Sequence, residues 1–394
     1  MEALQNSYQT VEGKLQQFIA VAENGERVFL LAFFFYMVIA AMQTTMFRVG
    51  GPFVTIVKFL LAGCVLLKII AFDRYTGKEL CFAVWLFGDA MVVMVLSGYK
   101  EVFFFAVLLL GAKNIPFVKI LKVYLLVNVA VLLSAFVASR LDIIENLVYV
   151  RDLASERNSF GVIYPTDFAA HIFFLLSAGF YVIRNELKTL HILLGGVVCA
   201  IVYYYCLTRL DCITMVLLLL GLWIMQHKSS WQNTNGIRQK GFDFLQKSAP
   251  WFGLVGFFVM YLLSLFYMPD VSAFRFIDEL LSGRLRIGNQ GLLEYGFSVF
   301  GQHIVMNGNG GSVIPPANYF FIDSSYLSVY LCYGIVFLIL IFFIHYFCCK
   351  KYADDRYYLL IISVIVINCM IAHHIIDLAY NPFFLALLAK KEAT

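Results

Sequence analysis

The chain alternates runs of about 20 apolar residues with short polar punctuation, and no other feature restricts its folding as strongly. GIVFLILIFFIHYFCC, from Gly334 to Cys349, holds no formally charged side chain. A helix needs about 20 mostly apolar residues to cross the ~30 Å hydrocarbon layer. Charged residues make up 14% of the 394, against about 25% in soluble domains. The polar remainder is too scattered to clothe a soluble core, so the sequence reads as one all-α polytopic membrane domain.

Twelve segments approach spanning length. Nine are clear, at about 28–47, 51–72, 117–139, 166–183, 189–206, 210–227, 250–268, 326–347 and 357–374. Three are shorter or less apolar, at 80–97, 101–112 and 378–389, and the last two need a broken or re-entrant form. Residues 1–27 are polar and read as a cytoplasmic segment, with an interfacial helix as one form; residues 28–394 are the membrane domain. The first apolar run is too long for a cleavable signal and serves as an uncleaved insertion signal. Nine cysteines without ligand spacing indicate neither a disulfide framework nor a zinc site.

With the N-terminus inside, 18 Lys and Arg fall on the inner side and nine on the outer, so the positive-inside rule puts both termini in the cytoplasm. The residue types are more telling. Thirteen of the 18 inner cations are Lys, whereas eight of the nine outer ones are Arg. Topology does not distinguish the two, but Arg offers a planar fork of donors matched to phosphate or carboxylate. The outer arginines therefore point to an anionic ligand. The plainer reading is that they pair with acids nearby, among them Asp142, Glu145, Asp152, Glu156, Asp270, Asp278 and Glu279.

Two outer loops are large, at about 140–165 and 269–325. In the second, Phe274, Ile277, Leu280, Leu281 and Leu285 recur at helical spacing among charges, which predicts an interfacial amphipathic helix. NGNGGSVIPPAN, Asn307 to Asn318, is turn chemistry and predicts a flexible or substrate-shaped loop.

Ionisable groups at the ends of spans are functional candidates because desolvating them is costly. Arg157 precedes Asn158, Ser159 and Gly161, and Asp167 and His171 share one face of the following helix. Arg209 sits in CLTRLDCI, a connection too short to carry it away from the mouth between two helices. Arg284 and Arg286 follow Gly283, and Asp323 and Tyr326 stand where the chain re-enters. His373, His374 and Asp377 have the residue types of a metal set, though a polar contact at a helix break is the simpler account. In the same way Asp167 can serve the helix dipole, and His171 can be a packing residue.

RNSFG before a Pro-containing helix start, TRLD in a tight loop, SGRL in one large late loop and DSSYLSVYLCYGI entering the next helix together resemble the Wzy polysaccharide polymerases. The likeness runs over roughly residues 100–390. It departs from the family at Pro165, Thr166 and Asp167, where many relatives have Pro-Asn, and at Thr208, where Ser is common.

The resemblance implies an integral membrane glycosyltransferase at the outer face of a bacterial cytoplasmic membrane. Such an enzyme joins undecaprenyl-pyrophosphate-linked repeat units of a capsule, exopolysaccharide or O-antigen. Its partners are those lipid-linked glycans and membrane lipid, with a flippase and a chain-length regulator as further candidates; no nucleic acid and no cofactor are implied. The leaving diphosphate must be stabilised, which fixed arginines can do without a metal, and Arg157, Arg209 and Arg284 match that need. The acceptor hydroxyl must also lose a proton. His303 and Asp323 are the first candidates for its base, with Asp167, His171, Arg286 and Tyr326 as secondary site residues. The aromatics Tyr164, Tyr295, Phe300, Tyr319 and Phe320 are of the kind that face sugar rings.

Three other readings stand beside this one. A flippase for the same lipid-linked sugar would be built on internal repeats with charges near the midplane; no internal repeat is seen, and one long outer loop with arginines confined to that face argues for one-sided chemistry, although Lys58 and Lys68 lie within a span. A related O-antigen-type ligase would differ only in its acceptor. A membrane scaffold leaves the arginine bias unexplained.

Overall fold

The computed structural model describes residue 17 and residues 22–152, 155–226 and 235–392. Most of the segment expected over 1–27 lies outside these, as do Lys14 and Lys228 and the side chains of Arg151, Arg238 and Lys240.

The fold is mostly helical. In chain order the first half contains α1 (Ala22–Gln43), α2 (Pro52–Phe72), α3 (Gly77–Ser97), α4 (Glu101–Gly111), α5 (Phe117–Arg140), a hairpin of β1 (Val148–Asp152) and β2 (Ser155–Asn158), α6 (Pro165–Val182), α7 (Thr189–Cys206) and α8 (Arg209–Gln226). The second half contains α9 (Asn235–Leu265), α10 (Ser272–Leu280), α11 (Arg284–Tyr295), α12 (Ser325–Ser328), α13 (Gly334–Lys351) and α14 (Arg356–Asn368). Among the described residues eight helices are long and apolar enough to cross a membrane, counting Ser325–Lys351 as one. Their outward faces carry large apolar side chains such as Leu60 and Ile70, which are 65% and 80% exposed, as a lipid-facing surface requires.

Two expectations are corrected. The protein is not wholly α-helical, because β1 and β2 pair antiparallel, with Tyr149 opposite Arg157. The amphipathic stretch in the second large loop is two helices, α10 and α11, because Ser282 and Gly283 take φ of 56° and 85° and turn the chain between them. Asp278 then bonds the amides of Leu285 and Arg286 at the start of α11.

The segment at 378–389 is expected from the sequence to need a broken or re-entrant form. It is an irregular chain with one short 3₁₀ turn, Phe383–Leu387, and it is buried inside the bundle. Non-helical backbone is tolerated at that depth only if protein groups satisfy it. Here Tyr124 donates to the Tyr380 carbonyl, Asn381 to that of Ile375, Tyr358 to that of Phe383, and Lys351 to those of Ala386 and Leu387. The short α4 is the other interior element, with nearly every side chain buried. Its last turn is closed by Lys68, which donates to the carbonyls of Gly111 and Lys113 at 2.9 and 2.8 Å while pairing with Asp73 at 2.7 Å.

The helix pair α12 and α13 is interrupted through a wider turn, Val329–Tyr333, ending at Gly334. The second large loop plugs the break. Amides of Ile335 and Val336 donate to Ser298 and Val299, and Gln302 donates to the Leu331 and Cys332 carbonyls. Gly334 has φ 88°, and a Cβ there would lie 2.4 Å from the Gly301 nitrogen, so only glycine admits so close an approach.

Both described ends of the chain meet at one end of the bundle. Lys119 pairs with Glu26, and Lys390 bonds the backbone of Ile115 and Phe117. The large loops gather at the opposite end.

Candidate functional site

Four segments at the loop-bearing end enclose a cavity of about 540 Å³. Arg157 comes from β2, Asp167 from the first turn of α6, Arg209 from the start of α8, and Arg284 from the start of α11. Asp323, Tyr319 and His373 complete its polar wall, and Asn307 to Gly310 of the glycine-rich loop close over one side.

Each arginine is delivered by a tight backbone turn. After Arg157, Phe160 and Gly161 take φ of 52° and 79°, and a Cβ on Gly161 would lie 2.5 Å from the Ala135 carbonyl oxygen. The same turn is clamped by Asn146, which accepts from the Phe160 amide, and by Met46, whose amide donates to Gly161. Between α7 and α8 only Leu207 and Thr208 intervene, and Leu207 sits at φ 50°, a strained conformation for a side chain with a Cβ. Ser282 and Gly283 play that part before Arg284.

The three arginines are held differently. Arg157 donates through Nε to the Cys206 carbonyl at 2.9 Å and lies 5.7 Å from the Tyr164 ring centre. Arg284 donates through Nε to Ile371 at 2.6 Å and through Nη1 to Leu281 at 3.0 Å, with Asp323 3.5 Å from Nη2. Arg209 is exposed and makes no hydrogen bond or ion pair among the described residues. The plainer reading of the outer arginines therefore covers little of the set. Of the acids near them in sequence, Glu145 pairs with Arg48, while Asp278 serves the backbone. At the opposite end some cations are neutralised: Lys113 by Glu79, Arg184 by Asp355, and Lys391 by Asp354.

The other expected site residues lie elsewhere. His303 is exposed on a different face, where its Nδ1 contacts the Ser97 carbonyl at 2.9 Å. His171 is fully buried behind the cavity, hydrogen-bonded to Thr44 at 2.8 Å and stacked on Tyr380. Arg286 points to a separate shallow groove with Tyr267 and Glu294. Tyr326 is fully buried and donates to the Val366 carbonyl at 2.7 Å. Arg286 is two positions from Arg284, His303 three from Met306, Tyr326 three from Asp323 and His171 one helical turn from Asp167, all of which line the cavity, a distinction that spacing alone does not resolve.

His373, read from the sequence as a helix-break contact or part of a metal set, belongs to the cavity instead. His374 turns away and stacks on Tyr380 at 3.6 Å, and Asp377 accepts from the Ala379 amide. Among the described residues no group of three His, Cys, Asp or Glu is arranged to hold a metal ion. His373 and Asp377 lie beyond the end of α14. Burial pushes the His373 imidazole below its ordinary value against the pull of Asp323 and Asp377, and pushes the Asp377 carboxyl up. Burial, then the Asp323 charge, also raises the Tyr319 phenol, which stays a neutral donor.

Fold and site define a multi-pass membrane protein with an arginine-lined cavity at one end of its helix bundle. No family model, curated protein or solved structure matches the chain.

Proposed function

We propose that the chain is a polysaccharide polymerase that joins undecaprenyl-pyrophosphate-linked repeat units in this cavity, with the cavity facing the extracytoplasmic side of a bacterial cytoplasmic membrane. The observation that carries the reading is the meeting of Arg157, Arg209 and Arg284, from three separate loops, on one cavity. A diphosphate leaving group develops charge as its bond to the sugar breaks, and preorganised guanidinium donors stabilise that charge without needing to reorganise. Arg209 and the free donors of Arg284 supply hydrogen bonds, while Arg157 adds charge from the opposite wall. Tyr164, Tyr319 and Phe321 provide the apolar faces on which pyranose rings stack. The polyprenyl chain stays in the surrounding lipid. A flippase and a chain-length regulator are the partners such an enzyme would work beside.

A flippase reading has one feature in its favour, the interrupted helix at Gly334, since transporters place ligands at such breaks. Here the plug from Ser298 to Gln302 occupies the freed backbone groups, so the break offers no ligand site. Deletion of the gene separates the two. A polymerase mutant loses long surface glycan and accumulates single lipid-linked repeats outside the membrane. Accumulation inside would establish the flippase instead.

A further inference from the structure

Transfer of a glycan to a hydroxyl needs a group to receive that hydroxyl's proton. We propose that His373 is the general base of the reaction, an assignment that rests on the glycosyl-transfer reading above. The acceptor oxygen attacks the anomeric carbon of the donor glycan and forms the new glycosidic bond. The anomeric carbon–oxygen bond to the pyrophosphate breaks, and its electron pair leaves with the lipid diphosphate. The acceptor's proton passes to the free imidazole nitrogen and then to water.

His373 is the one imidazole among the described histidines that lines the cavity. His303 faces elsewhere, His171 and His374 are buried behind the wall, His345 is bonded to the Ala249 carbonyl, and His191 caps α7 at the far end. Its position is set by the same groups that hold the phosphate-binding side. Arg284 donates to the carbonyl of Ile371, and Ser325 donates through Oγ and its amide to that of Ala372, so both peptide units before His373 are pinned. The Arg284 bond thereby ties the leaving-group site to the base two residues away. The His373 ring also rests edge-on against Phe321 at 5.0 Å, which limits its rotation.

The charged groups facing it are Asp323 ahead of α12, Arg284 from α11 and Asp377 from its own segment, with His374 adjacent. Asp167, from α6, lies near Asp323 and Asp377 and is the competing base. Asp323 faces the Arg284 guanidinium at 3.5 Å, on the leaving-group side.

The test uses the full-length protein in liposomes with a synthetic lipid-pyrophosphate-linked repeat unit. His373→Gln is expected to lower kcat at least about 100-fold, the usual effect of removing a general base, while substrate binding changes less than about threefold. The wild-type rate should fall as pH drops to where the imidazole protonates, which burial places below the ordinary value of about 6.5, and the residual rate of His373→Gln should lose that dependence. His303→Ala should keep the wild-type rate. The assignment is overturned if His373→Gln polymerises normally, if it keeps the wild-type pH profile, or if it no longer holds the substrate, since the ring would then serve the fold. A large loss in Asp167→Asn with none in His373→Gln would move the proton to Asp167. If the wild-type protein makes no polymer, the polymerase reading fails, and the assignment with it.

Discussion

Arg284 and Asp323 face each other at 3.5 Å across the cavity wall, with side chains 10% and 30% exposed. The separation is long for a charge-assisted hydrogen bond, so Asp323 neutralises Arg284 without saturating its donors. An entering diphosphate would compete with that carboxylate for the same guanidinium. Asp323→Asn is therefore expected to bind inorganic pyrophosphate about tenfold more tightly than the wild type, measured by calorimetry on the detergent-solubilised protein. Unchanged or weaker binding would place the anion elsewhere.

The Arg209 side chain has no hydrogen-bond or ion-pair partner among the described residues, so its removal should cost function and not stability. Arg209→Ala is expected to unfold within about 0.5 kcal/mol of the wild type and to lose polymerisation at least about 100-fold. Arg157→Ala and Arg284→Ala should lose as much activity and also lower the unfolding temperature, because each also holds a backbone carbonyl. Polymer of normal length from all three variants would remove the arginines from the mechanism.

Gly161 is the hinge that aims Arg157. With φ at 79° and the Ala135 oxygen 2.5 Å from any Cβ, Gly161→Ala should destabilise the protein by more than about 1 kcal/mol and lower activity in parallel. Thermal unfolding and polymer yield, measured on one preparation, test both effects.

At the far end, Lys68 and Asp73 are 1% and 2% exposed, and Lys68 also closes α4. Lys68→Met takes the cation from a buried carboxylate and the donor from two carbonyls and should cost about 3–5 kcal/mol in denaturant titration. Lys68→Met with Asp73→Leu should recover part of the loss. A single variant as stable as the wild type would show that the pair is dispensable.

Much of this architecture was legible in the sequence, because lipid imposes length and polarity on every spanning helix. The arginines stood out through residue type: a preference for Arg over Lys on one side does not follow from topology, and three of those arginines line the cavity. What the sequence concealed was backbone and depth. Residues 378–389 are as apolar as a helix, and hydropathy is silent about whether buried chain is helical; only Asn381-Pro382 marks the break. The hairpin had only a short run of strand formers, Val148, Tyr149 and Val150, too brief to outweigh its surroundings. His303 and His373 carry the same functional group, and only the packing of α14 against the loop before α12 brings the second to the cavity.

The most direct test of the account is a reconstituted reaction. Purified protein in liposomes, supplied with a lipid-pyrophosphate-linked repeat unit on the cavity side, should yield a ladder of polymer and one released lipid pyrophosphate per bond formed, and Arg209→Ala should yield neither. Movement of the unchanged repeat unit across the bilayer, with no polymer and no released lipid pyrophosphate, would contradict it.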